Sequence, residues 1–177
     1  MKLIALDLEL NQPSNKIIEI GACVFELEPF SIIEELSAIV NPEEPLNPYI
    51  IKLTSITQEM VDQGTDLQIA YGKLCMLVVK HNALTTPVVW GCGDSPCLQK
   101  QVAVGNPSPF IFGRREFDTK TLYQSYRLAN NLKTQSGLSK SMAKCGINFQ
   151  GVKHRAVDDA RNTAIFFKFL TDKLKDK

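Results

Sequence analysis

Apolar residues dominate the first ten positions, MKLIALDLEL, with Asp7 and Glu9 set among leucines. A stretch this apolar predicts a central, buried strand. KIIEIGACVFEL and SIIEELSAIVNP predict two more strands, the first reached through NQPSN, a run of turn-forming residues. Three strands with short connections predict an antiparallel meander. The period then lengthens. SITQEMVDQG predicts a short helix with Thr57 as N-cap and Gly64 at its end. Asp66 to about His81 predicts a longer helix whose apolar face is Ile69, Leu74, Leu77 and Val78. TPVVWGCG predicts another buried strand, and SPCLQKQVAV a helix with Ser95 and Pro96 as cap and first-turn residue. DTKTLYQSYRLAN and SGLSKSMAKCG predict helices opened by Asp118 and Ser136, the second closed by Gly146. A last helix runs from about Ala156 to Leu174. The expected fold is α/β: a mixed sheet, antiparallel meander first, flanked by helices.

With 177 residues and no repeat or linker, the chain is expected to form one domain, 1–177. Its 44% hydrophobic and 22% charged residues are ordinary for a soluble protein. No apolar run reaches the roughly 18 residues of a membrane span, and the N-terminus lacks a signal-peptide cleavage site, so a cytoplasmic location without membrane contact is expected. Five cysteines in irregular settings offer no zinc pattern and are expected to be reduced.

The net charge of +1 conceals an asymmetry: residues 1–99 carry 5 Lys/Arg against 13 Asp/Glu, residues 100–177 carry 15 against 6. An acidic region for metal ions and a basic one for a polyanion is one explanation; interleaving of the charges on folding is the other.

Asp7 and Glu9, two apart in a strand, project from the same face. Two carboxylates in a buried strand repel and are costly to desolvate, so they call for a cation. Asp94 follows the strand VVWGCG, at the carboxyl end where α/β sheets gather their sites, or else it caps the next helix. On a wheel of residues 156–174, Ala156, Ala160, Thr163, Phe167, Leu170 and Leu174 form one stripe. Asp159 lies roughly 60° from its centre and Asp158 on the opposite side. His154 precedes the helix, where a loop can bring its ring beside Asp159. Trp90 is assigned to the core and His81 to a structural or solvent-facing place. Carboxylate oxygens suit Mg²⁺ or Mn²⁺, and a pair of such ions suits phosphoryl hydrolysis. A histidine can take the proton from an attacking water.

Asp7 and Glu9 as D-x-E, Asp94 near mid-chain, and His154 and Asp159 as H-x-x-x-x-D occur in an order and spacing that resembles the DEDDh exonucleases across essentially the whole chain. Ribonuclease T and the proofreading subunit of bacterial replicative polymerase belong to that class. NPYIIKLTSITQEMVDQG, WGCGD and HRAVDDARNTA look most like its ERI-type, KapD-like branch. The resemblance implies an RNase H-like fold and release of nucleoside 5′-monophosphates from the 3′ end of single-stranded RNA or DNA. It implies that Asp7, Glu9 and Asp159 hold one of two Mg²⁺ or Mn²⁺ ions, with Asp7 bridging to the second. Asp94 would act through coordinated water and His154 as general base. Leu10 stands where many relatives have Thr near the terminal nucleotide, and Ser55 where they commonly have Gly. Leu10, Lys153 and Arg155 are the candidate substrate contacts. A polymerase-bound proofreading subunit and a non-catalytic nucleic-acid-binding module are the rival expectations. Oligomeric state is not legible.

Overall fold

The computed structural model describes residues 1–104, 110–132 and 137–175. Its long strands are β1 (Lys2–Leu10), β2 (Ile17–Leu27) and β3 (Phe30–Ile39). They form the expected antiparallel meander, and two short parallel strands, β4 (Val88–Val89) and β5 (Phe117–Asp118), extend it in the order β3-β2-β1-β4-β5. β1 is therefore central. Its even residues Ile4, Leu6 and Leu8 join Ile20, Ala22 and Val24 of β2 in a core covered by two helices, α3 (Leu67–His81) and α4 (Asp94–Val102). Its odd residues Leu3 and Ala5 pack with Cys23 and Phe25 of β2 against Ala160, Ala164 and Phe167 of α7 (Ala156–Lys175). Alternation along the strand thus serves two helical layers at once. α5 (Thr119–Ala129) and α6 (Leu138–Lys144) pack beside α7 around Tyr123, Met142 and Phe166.

Several local expectations need correction. The strand at TPVVWGCG is only two residues long, because Gly91 and Gly93 take φ of +91° and +132° and turn the chain out of the sheet. The helix α1 (Pro48–Thr54) was not expected, although Asn47 accepts a hydrogen bond from the Tyr49 amide and Pro48 opens the first turn. Ser55 ends it in the left-handed region, φ +61°, the place where glycine costs nothing. α2 (Gln58–Asp62) has Thr57 as its N-cap, as expected. In α3 the buried face is Ala70, Tyr71, Leu74, Leu77 and Val78, whereas Ile69 faces solvent. Leu174 is likewise exposed, where α7 outruns the sheet. Gly93, not Ser95, is the N-cap of α4, and the Ser95 hydroxyl is buried inside the helix. Asp118 caps α5 through the Lys120 and Thr121 amides. Ser136, the expected cap of α6, lies outside the described residues.

The charge asymmetry resolves by pairing across the fold. Arg161 of α7 binds Glu35 of β3, and Lys168 and Lys175 of α7 meet Glu28 of the β2–β3 turn. Arg155, just before α7, binds Glu19 of β2. His81 and Lys80 both reach Glu34, a structural place for this histidine. All five cysteines are free. No helix among the described residues is long and apolar enough to cross a membrane.

Candidate active site

The odd face of β1 changes character part-way along. Leu3 and Ala5 are apolar contacts for α7; Asp7 and Glu9 continue the same face to where α7 begins. The first turn of α7 supplies Asp159, and the residue two before the helix is His154. His154 has φ +61°, and its backbone amide donates to Asp159 Oδ2 at 3.1 Å. Donor atoms of Glu9, His154 and Asp159 lie within 4.8 Å of one another. A cavity of about 500 Å³ opens over them, lined also by Asp7, Leu8, Trp90, Lys153 and the start of α6, Gly137–Lys140. Trp90 packs in the core as expected, its ring against Tyr123 and Phe166 at 6.2 and 5.8 Å, and it also borders the cavity.

Asp94 opens α4 and is not among the lining residues. Its charge nevertheless acts on Asp7 more strongly than any other. Burial, then Asp94, Asp159 and Glu9, holds the Asp7 carboxyl well above the usual carboxylate range. Burial with Asp159, Glu19 and Asp94 pushes Glu9 up to about 8 against the opposing pull of Arg155. Burial and Glu116 bring Asp94 to about 7. Burial brings Asp159 to about 6, opposed by the His154 amide. Each shift has the same origin: desolvated acids crowd together with too little positive charge among them. A hard divalent cation supplies the missing charge and takes oxygen ligands, so the residue set fits one.

The sequence-derived residues separate into two groups. Asp7, Glu9, His154, Asp159 and Lys153 meet at the cavity. Leu10 and Arg155 do not. Leu10 packs with the core beneath α3, on the opposite face of β1 from Asp7 and Glu9, so its side chain points away from the acidic cluster. Arg155 forms a two-pronged pair with Glu19, its Nε and Nη2 each 3.1 Å from a carboxylate oxygen, and is occupied inside the fold rather than offered to a strand. Asp158 faces away from the cavity, as the wheel indicates, but it is not free in solvent. It accepts from the Val152 amide at 2.9 Å and pairs with Arg161.

Three residues escaped the sequence reading. Glu116 accepts from the Gly93 and Ser95 amides and so holds the start of α4 beside Asp94; nothing in the sequence marks it. Lys140 borders the cavity only because α6 folds over it. Glu19 had a signal: an acid on the inward face of an apolar strand, the same feature that singled out Asp7 and Glu9.

The chain also resembles known proteins. A family model described as exonuclease, RNase_T, matches residues 4–167. The human protein ERI1 exoribonuclease 2 is 27% identical over 187 residues, covering 90% of this chain and 26% of its own length. The probable 3′-5′ exonuclease KapD of Bacillus subtilis (strain 168) is 28% identical over 179 residues, covering 95% of this chain and 83% of its own. Among solved structures, the nuclease domain of 3′hExo, a DEDDh family member bound to rAMP, superposes with a TM-score of 0.81 at 20% identity. That match covers 97% of this chain and 92% of the other. The chain thus spans about a quarter of the length of the human relative.

Proposed function

The chain belongs to the exonuclease family, and on that premise we propose that it shortens single-stranded RNA or DNA from a free 3′ end, one nucleoside 5′-monophosphate at a time. The observation that carries this is the convergence of Asp7, Glu9, Asp159 and His154 on one cavity, with the carboxyl groups raised by burial first and by neighbouring acids second. RNA is the first substrate to test, because the human relative is named an exoribonuclease.

Asp7, Glu9 and Asp159, with Asp94 close by, would hold Mg²⁺ or Mn²⁺. When bound, a pair of such ions stabilises the entering and leaving oxygens of the phosphoryl group. His154 accepts the proton of the water that attacks phosphorus. The bond to the neighbouring 3′ oxygen breaks, leaving a strand one nucleotide shorter with a new 3′-hydroxyl. Lys153 and Lys140 flank the carboxylates and offer charge to the strand's phosphates, which makes binding sensitive to salt.

The test is a time course on 5′-labelled single-stranded RNA, single-stranded DNA and duplexes with Mg²⁺, Mn²⁺ or EDTA. A ladder descending from the 3′ end, abolished by EDTA, is expected. Rapid cutting of a circular single strand, or full activity in EDTA, would refute the proposal. His154→Ala should lose far more in kcat than in KM, and Lys140→Ala the reverse.

A further inference from the structure

Glu19 is fully buried, with 0% of its surface exposed, and it lines no part of the cavity. It nonetheless accepts four hydrogen bonds: from Arg155 Nε and Nη2, from the Ala156 amide at 3.0 Å, and from the Ser37 hydroxyl at 2.8 Å. Two of its partners, Arg155 and Ala156, lie in the chain between His154 and Asp159. Its own strand position is directly opposite Glu9. Two residues on, along the same face of β2, Gly21 lies so close under α7 that a Cβ there would sit 2.0 Å from the Ala156 carbonyl carbon. The first turn of α7 therefore rests backbone to backbone on β2 and is anchored there by a charge.

Stability alone does not account for a charge in this place. A buried ion pair contributes little over well-packed apolar residues, since desolvation offsets most of the attraction. What it does contribute is one fixed arrangement, because a guanidinium fork and a helix-terminal amide are satisfied together in a single geometry. The segment so fixed includes His154 at φ +61°, a conformation a histidine keeps only where its surroundings impose it. Beyond Arg155, Asp159 holds the other end of that segment through the His154 amide.

We propose that Glu19, acting through Arg155 and the Ala156 amide, is a positioning residue of the catalytic centre: it sets where His154 and Asp159 stand against Asp7 and Glu9. The proposal rests on the exonuclease reading above for its catalytic half. Its structural half, that Glu19 fixes the 154–159 segment, has a separate readout.

The experiment compares wild type with Glu19→Gln, which keeps size and one acceptor oxygen but loses the charge. Gly21→Ala is the second variant and lifts the start of α7 by bulk alone. Single-strand digestion gives kcat and KM, Mn²⁺ affinity is read by electron paramagnetic resonance, and amide hydrogen exchange follows α7 residue by residue. For Glu19→Gln we expect kcat to fall about 10–100-fold and Mn²⁺ to bind about tenfold more weakly, with KM within about threefold, as for other partners that orient metal-binding groups from behind. Exchange should quicken at residues 154–159 and stay at the wild-type rate beyond Thr163. Gly21→Ala should give the same signature. Wild-type kcat and Mn²⁺ affinity in folded Glu19→Gln would overturn the proposal, and so would exchange quickened evenly through the whole domain, which marks a merely structural pair. If wild type itself digests no strand, the exonuclease reading falls, while the exchange and Mn²⁺ results still decide whether Glu19 positions the segment.

Discussion

The two ends of α7 treat charge in opposite ways. Toward its C-terminus, cations meet acids: Lys168 and Lys175 with Glu28 and Asp172. At its N-terminus, Asp159 meets Asp7 and Glu9, with Asp94 behind them, and the nearest guanidinium, that of Arg155, is turned to Glu19. The chain has cations enough, 20 Lys and Arg against 19 Asp and Glu, so the crowding is not forced by composition. An arrangement that neutralises acids at one end and concentrates them at the other is built to receive positive charge from outside.

The largest effect is expected from the adjacent aspartates at the acidic end. Asp159→Asn removes one negative charge from the cluster and should lower kcat about 10³-fold, the scale of several kcal/mol of lost transition-state stabilisation. Asp158→Asn keeps an acceptor for the Val152 amide but weakens its bond to Arg161; it should cost about 1 kcal/mol of stability and leave most activity. Side-by-side digestion at saturating Mn²⁺ decides it, and a dead Asp158→Asn beside an active Asp159→Asn would dismiss the assignment.

Next in size is Gly151→Ala. Gly151 has φ +85°, and an added Cβ would lie 2.4 Å from the Asp158 carboxylate. The substitution should cost about 1–3 kcal/mol in thermal unfolding. It should also lower kcat, because the displaced loop leads directly to Lys153 and His154.

The acidic end should also reveal itself in how stability follows pH. A carboxyl with a raised pKa holds its proton in the folded protein at a pH where the unfolded chain has lost it. That contribution is complete below the ordinary carboxylate range near 4. It disappears as pH rises through about 6 for Asp159, about 7 for Asp94 and about 8 for Glu9. In EDTA, Tm should therefore fall between about pH 5 and about pH 8, by about 2–4 °C for each kcal/mol lost. Saturating Mn²⁺ should flatten or reverse the slope. A Tm in EDTA that climbs across this window would show that the acids are not crowded as described.

The paired end should hardly respond. Lys168→Ala removes contacts to Glu28 and Asp172 at the surface and should leave Tm and kcat unchanged within error, since exposed ion pairs contribute little.

Much of this was legible in the sequence because two periods overlap there. Period two in LDLEL placed Asp7 and Glu9 on one face, and period 3.6 in the last helix separated Asp159 from Asp158; both agree with the fold. The signals failed where they depended on partners distant in the chain. Arg155 reads as a free cation until Glu19, 136 residues earlier, is folded beneath it. Leu10 reads as a neighbour of Glu9 until the pleat turns it to the other face. Lys140 and Glu116 become site neighbours only through packing. β5, two residues long, is too short to carry any period, whereas Asn47–Pro48 does mark the start of α1.

The docking of α7 on β1 and β2 also sets a schedule for the protein's own synthesis. Asp159 leaves the ribosome 152 positions after Asp7. At roughly 5–20 residues per second that is an interval of about 8–30 s in which β1 exists without its opposite wall. The half-built centre lacks His154 and Asp159, so on the proposed exonuclease reading the emerging chain is expected not to cut nucleic acid. Nascent chains stalled before α7 emerges are expected to bind no divalent cation at this centre.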